Sequence, residues 1–368
     1  MMIIGMTKKS VLRSLLHIIM PVIFVFLGAC ESEEQYYSME DFQSVEKIDT
    51  HVHINVEESP IIEQAEEDNF HVITVNTPSD NFSINELKEI AVQLKDQYPE
   101  QVSFLTSLPL ENWNDQELWE QNASEYLQES MDDGAVGVKV WKNIGLEFRD
   151  EDGNFVMIDD PQFDPIFEFM AEQQFPLLGH IGEPRNTWLP LDEMTVNNDR
   201  EYFEENPEYH MYLHDEYPSY WEIITSLNNF LEKNPELPYI GAHLASMEWS
   251  IDMMAEHLDN HPNLVLDFAH RVPHLQYLAQ QDRERLRDFM INYQDRFVYS
   301  TDLMHYIDDE YDEVEELVYN TWRDEWEFFV TDNTMEAWQV EGEFQGLKLP
   351  KEVIDKIYRE NALELFDI

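Results

Sequence analysis

Basic residues are scarce in this chain. Its 368 residues hold 22 Lys and Arg against 77 Asp and Glu, a formal net charge of −55. Such a surface repels nucleic acid and anionic lipid headgroups, which argues against a nucleic-acid partner. Cysteine is almost absent: the only one is Cys30, so no internal disulfide framework can hold the fold together. No internal repeat and no Gly/Ser linker divides the chain, so a single large domain is the simplest organisation. Against these absences stand 43% hydrophobic residues, with 9 Trp, 17 Tyr and 21 Phe, enough for a sizeable core. Self-repulsion of this strength is best tolerated where salt screens it. The composition therefore suits either a saline habitat or an acidic secreted protein.

The N-terminus carries a processing pattern. Lys8, Lys9 and Arg13 precede a nearly apolar run from Ser14 to Phe26, short for a membrane span but suited to a signal peptide. The run ends in Leu27-Gly28-Ala29-Cys30, which resembles the bacterial lipoprotein cleavage box. The resemblance implies a removed signal over 1–29 and a lipid on Cys30. The product would be exported and anchored to a bacterial membrane, on its periplasmic or cell-surface side. Glu31, Glu33 and Glu34 open a polar stretch, and residues 30–44 read as an acidic tether before a domain over 45–368.

Within that domain, short β-rich runs alternate with helical patterns, which predicts βα units and a parallel sheet. The runs are Val45–Ile54, Phe70–Thr77, Gln101–Leu110, Ala135–Trp141, Phe175–Ile181, Pro238–Leu244, Asn263–Ala269 and Phe297–Thr301. Ser83 and Glu86 have capping-box spacing ahead of the stripe Ile84, Leu87, Ile90, Ala91 and Leu94. Asp164-Pro165 reads as a helix start, and Pro218 marks another before the sixth run. Eight such units predict an α/β fold, a (β/α)8 TIM barrel. Long connections follow the fifth strand (Gly182 to Tyr217) and the eighth (Met304 to Leu349). On this fold they would shape a substrate pocket or serve a homo-oligomer contact.

Chemistry gathers at the strand ends. His51 and His53 close the first run, and side chains at i and i+2 leave a strand on one side. His180 ends the fifth run, His243 the sixth, and Asp302 follows the eighth. Each position is one where a barrel presents functional groups. Imidazoles plus a carboxylate form a nitrogen and oxygen site suited to Zn²⁺, with Mn²⁺ or Fe²⁺ as alternatives. Lys139 lies on the fourth run, and Arg271 follows the seventh, where a planar guanidinium could hold an anionic group. Arg185 is a second such candidate. Trp141, Trp188, Tyr212, Tyr217 and Trp221 are pocket or loop aromatics, and Glu183 could orient a ligand histidine. His210, His214, His270, His274 and His305 are read as non-ligands.

With these residues in place, the chain from Ile48 to Phe366 resembles the amidohydrolase superfamily and its amidohydrolase-2 family. The closing stretch Ile354 to Ala362 looks like that family's usual last helix. The resemblance implies that His51, His53, His180 and Asp302 bind the metal. It implies that His243 contacts a water or the substrate, and that either His243 or Asp302 serves as base. One ion is expected, with Lys139 as a substrate-side cation or as a group that supports the metal ligands. A second ion bridged by a carboxylated Lys139 is the alternative. The leading expectation is hydrolysis of a small-molecule ester, lactone or amide by metal-activated water, with Lys139 and Arg271 orienting it. Non-oxidative decarboxylation, which also occurs in the family, and non-catalytic ligand binding by a lipoprotein are the alternatives.

Overall fold

The computed structural model describes residues 35–77 and 82–368. The signal expected over 1–29 and the lipid site at Cys30 lie outside the described residues. Every expected run contains a strand: β1 (Lys47–Ile54), β2 (Phe70–Val75), β3 (Val102–Ser107), β4 (Val138–Val140), β5 (Leu177–Gly179), β6 (Tyr239–Gly241), β7 (Leu264–Asp267) and β8 (Phe297–Val298). A ninth, β9 (Leu303–His305), was not anticipated. All pairings are parallel, in the order β8-β7-β6-β5-β4-β3-β2-β1-β9. Helices between the strands cover the sheet's outer face, which is why β1 is buried at every residue.

The sheet closes on itself. β9 pairs with β1 through Val52↔Leu303, His53↔Met304 and Ile54↔His305. Thr50 N–H donates to Tyr299 O at 3.0 Å, and Asp302 N–H donates to His51 O at 2.7 Å. β8 and β9 are thus two halves of the eighth stave of a (β/α)8-type barrel. Of the run expected over Phe297–Thr301, β8 covers only Phe297–Val298, and the chain turns at Asp302, whose φ is +66°, before β9 begins.

Local signals account for the helices. Ser83 and Glu86 form the expected capping box of the helix Ile84–Gln97. The helix before β6 is Tyr220–Lys233, capped by Ser219 in a box with Glu222, one residue beyond the Pro218 mark. Asp164 lies inside its helix rather than at the cap, because a 3-10 turn, Pro161–Phe163, leads directly into it. At the C-terminus, Lys351–Asp355, a π-turn over Lys356–Glu360 and Asn361–Phe366 follow one another. Asn361 Nδ2 donates to Gln294 O at 2.8 Å and Phe297 O at 2.7 Å, pinning the start of β8.

Of the tether expected over 30–44, residues 35–44 pack on the barrel. Phe42 is buried, Tyr37 Oη donates to Asp355 at 2.8 Å, and Met39–Asp41 is a capped 3-10 turn. Buried Lys47 holds this segment, donating to the carbonyls of Phe42, Val45 and Asp68 while lying over the rings of Phe42 and Phe70. Among the described residues, no helix is long and apolar enough to cross a membrane. The two long connections meet at the mouth. Asn197 donates through its N–H to Gln339 O and through Nδ2 to Trp338 O, both at 2.8 Å, joining the helix Asn197–Glu205 to the hairpin β10 (Thr334–Ala337) and β11 (Val340–Gln345).

Candidate metal centre

The pairing of β1 with β2 slips between Asp49 and Val52, where three steps along β1 match two along β2. A bulge of this kind at a barrel rim re-aims side chains. Here it sets the His51 and His53 rings 5.2 Å apart, centre to centre. Asp302 Oδ1 lies 3.4 Å from His51 Nε2 and 3.1 Å from His53 Nε2. One ligand atom from each of His51, His53 and Asp302 falls within 4.8 Å of the others. Donors about 2.1 Å from a tetrahedral ion sit about 3.4 Å apart, so this set is already near coordinating separation.

His180 is not part of that 4.8 Å set but lines the same cavity, and a relay of fixed tautomers sets the state of its ring. Burial drives the pKa of His180 and His243 well below the ordinary imidazole value, so both rings are neutral. His243 Nδ1 lies 2.7 Å from the Ala269 carbonyl, which can only accept, so Nδ1 carries the proton and Nε2 is a lone pair. That lone pair faces His180 Nδ1 at 3.1 Å, which must then be the donor. His180 Nε2 is left as a lone pair, buried and with no hydrogen-bond partner. A buried acceptor without a donor calls for one, or for a cation. His51 is oriented in a similar way: its Nδ1 donates to Asp267 at 2.8 Å, freeing Nε2. His53 Nδ1 meets the Thr77 hydroxyl at 3.0 Å. The donor set and the orphaned nitrogen fit a divalent ion.

The charge state follows from the surroundings. Burial lowers the pKa of His51, and nearby Lys139 lowers it further. Burial alone would raise the Asp302 carboxyl, but the imidazoles of His51, His53 and His243 hold it well below the ordinary range, so it is a carboxylate. Lys139 is buried and donates to His51 Nε2 at 3.1 Å. Burial lowers its pKa to about 8, with Asp267 and Asp302 opposing the shift. Lys142 pairs with Glu183, which outweighs burial and raises the lysine's pKa. Glu183 is also 3.9 Å from His180 Nε2.

Strain concentrates here. His243, Leu244, Ala245 and Ser246 run with φ between +52° and +59°, a left-handed turn directly after β6. His270 (+56°) and Asp302 (+66°) are also left-handed. Such conformations cost about 1–2 kcal/mol per residue and persist where the surroundings over-determine them. Asp267 is part of that determination, since its Oδ1 accepts from His243 N–H at 2.5 Å and Ala269 N–H at 3.2 Å. Asp49 supports the other side, accepting from the Thr301 N–H, the Thr301 hydroxyl and Trp322 Nε1 at 3.1, 2.6 and 2.9 Å. Sequence reading singled out neither aspartate. The available signal was their place, one at the end of β7 and one two residues before His51.

A cavity of about 740 Å³ opens over the group, lined by His53, Lys139, Lys142, His180 and Asp302, with Trp141, Phe148 and Tyr209 among its walls. The structure thus brings His51, His53, His180, His243, Asp302 and Lys139 together. It does not bring Arg271 to this cavity. That side chain is buried, donates to His270 O at 3.1 Å and lies near Asp199 and Glu248. Arg185 is caged by Tyr220, Trp221 and Trp249, with ring centroids 5.0–5.7 Å away. Of the histidines set aside as non-ligands, His270 comes nearest, its Nδ1 3.7 Å from Asp302 Oδ2.

The amidohydrolase family model matches residues 113–368, and the chain belongs to that family, in its amidohydrolase-2 branch. The match begins beyond β1, so the first-strand histidine pair is placed by the structure. Two solved structures are similar in fold. One is 2,6-dihydroxybenzoate decarboxylase from Rhizobium, at 16% identity over 88% of this chain and 98% of that one, with a TM-score of 0.50. The other is an amidohydrolase II, at 17% identity over 88% and 100%, also with a TM-score of 0.50. No curated protein sequence matches the chain.

Proposed function

We propose that this protein is a metal-dependent hydrolase that cleaves a small ester, lactone or amide carrying an anionic group. His51, His53, His180 and Asp302 would hold one divalent ion, with a nitrogen and oxygen donor set that suits zinc. The observation that carries this reading is the relay from Ala269 through His243 to His180, which leaves a buried lone pair beside the His51, His53 and Asp302 cluster. An ion bound there would supply Lewis acidity toward a carbonyl and acidify water.

The chain's own residues define the rest. His243 Nε2 already accepts from His180, so it is not free to take a proton. Asp302, a carboxylate facing the cavity, is the group placed to receive the proton of the attacking water. Lys139, at the cavity floor, donates toward an anionic substrate oxygen, and Lys142 with Glu183 sets the polar side of the mouth. Trp141, Phe148 and Tyr209 supply apolar wall that excludes water.

Decarboxylation is the second reading, favoured by one observation: two lysines face a cavity with aromatic walls, which also suits an aromatic carboxylate. Protein loaded with Zn²⁺, Mn²⁺ or Fe²⁺ is assayed on esters, lactones, amides and aromatic carboxylates, with metal content and CO2 measured together. Hydrolysis without CO2 at about one ion per chain supports the proposal. CO2 release from a carboxylate overturns it in favour of the lyase, and two ions per chain would assign Lys139 the bridging role. Export and anchoring through Cys30 are proposed from the sequence pattern. A Cys30→Ser protein should leave the membrane fraction.

A further inference from the structure

A second cavity of about 650 Å³ also reaches Asp302. Asp302, Met304 and Tyr306 line both cavities, so β9 and the residues after it form a partition with the candidate base at its edge. The two chambers differ in chemistry. The first holds Lys139 and Lys142, drawn from a chain with only 22 basic residues. The second has no Lys or Arg in its lining. Asp308, Asp309, Glu310 and Glu313 stand along it with one imidazole, His270, and its apolar surface includes Leu303, Val314, Leu317 and Trp338. Trp338 sits on the hairpin pinned to Asn197, so the two long connections jointly build this chamber.

An acidic lining alone says little in a chain of net charge −55. What singles this one out is that acidic side chains and apolar surface share one concave space that ends at the reacting group. An ammonium or guanidinium on an apolar body matches it: the carboxylates attract the charge, and Tyr306 and Trp338 offer ring faces to it. Resting on the hydrolase reading above, we propose that the substrate is bipolar. Its anionic part lies in the lysine chamber, its cationic apolar part lies in the acidic chamber, and the cleaved bond lies between them at Asp302.

Calorimetric titration of the metal-loaded full chain tests this without turnover. The probes are phenethylammonium, its neutral counterpart 2-phenylethanol, and benzoate. Phenethylammonium should bind at least about tenfold more tightly than 2-phenylethanol, should weaken with added salt, and should still bind at saturating benzoate. The double variant Asp308→Asn/Glu313→Gln and, independently, Trp338→Ala should each weaken phenethylammonium about fivefold or more. Benzoate binding should be unchanged in both, which also reports that the fold is intact. Equal affinity for the ammonium and the alcohol, displacement of the ammonium by benzoate, or full affinity in both variants would overturn the proposal. A protein that binds as expected but turns over no ester, lactone or amide would refute the hydrolase reading and leave the two chambers standing.

Discussion

Replacing His243 separates a positioning role from a base role. In His243→Leu, the His180 Nδ1–H loses its acceptor at 3.1 Å and has no other partner within the buried group. An unpaired buried donor costs about 1–3 kcal/mol. It also frees His180 to place its proton on Nε2, the atom the metal needs. Loss of such an orienting partner lowers metal affinity about 10- to 100-fold, roughly 1.4–2.7 kcal/mol. His243→Gln keeps an acceptor of similar reach and should recover most of that loss. The assay is a zinc competition titration against a chromophoric chelator, run beside the pH dependence of kcat. The reasoning fails if His243→Leu binds zinc as tightly as the parent while kcat loses its acid-side limb, because His243 would then be the base.

Asp302→Asn should lower kcat by about 10²–10⁴ and weaken metal binding while leaving the circular dichroism spectrum unchanged, since the group acts on a proton and on the ion rather than on the core. Stripping the protein with a chelator should abolish turnover and lower Tm, and zinc added back should raise Tm in proportion to the logarithm of its concentration. Lys47 gives a pH test away from the site. Burial lowers its pKa from 10.5 to about 7, so between those values the unfolded chain binds more protons. Stability in urea should therefore rise with pH across that window, and Lys47→Met should flatten the rise.

The barrel was legible because periodicity and strand-end chemistry agreed. Runs rich in Val, Ile and Leu announced buried parallel strands, and each of His51, His53, His180, His243 and Asp302 stood at the end of one. Less legible was anything decided by contacts far apart in sequence. β9 is formed by pairing with β1, some 250 positions away, and no local pattern marks Leu303–His305 as a strand. Arg271 follows a strand end just as His180 does, yet its side chain is buried and donates to His270 O rather than lining the cavity over the histidines. Spacing along the chain gives the position of a residue on the barrel rim and not the rotamer it adopts. Asp49 and Asp267 were overlooked for a related cause: in a chain with 77 acidic residues, two buried carboxylates look like the rest until their donors are seen.

Those two aspartates explain how the left-handed segments survive. His243 and Ala269 donate to Asp267, and Thr301, next to Asp302, donates to Asp49. Each strained rim segment therefore ends on a carboxylate that is itself anchored in the barrel. Burial raises the Asp49 carboxyl to about 7, so near neutral pH its bonds lie between neutral and charge-assisted. Bonds across that range contribute about 0.5–3 kcal/mol each, comparable with the cost of the conformations they enforce. The same bonds orient the chemistry, because Asp267 fixes the His51 tautomer while fixing the His243 backbone. Strain and ligand orientation share one set of atoms here. A substitution at Asp267 should therefore loosen the metal ligands and relax the turn after β6 together.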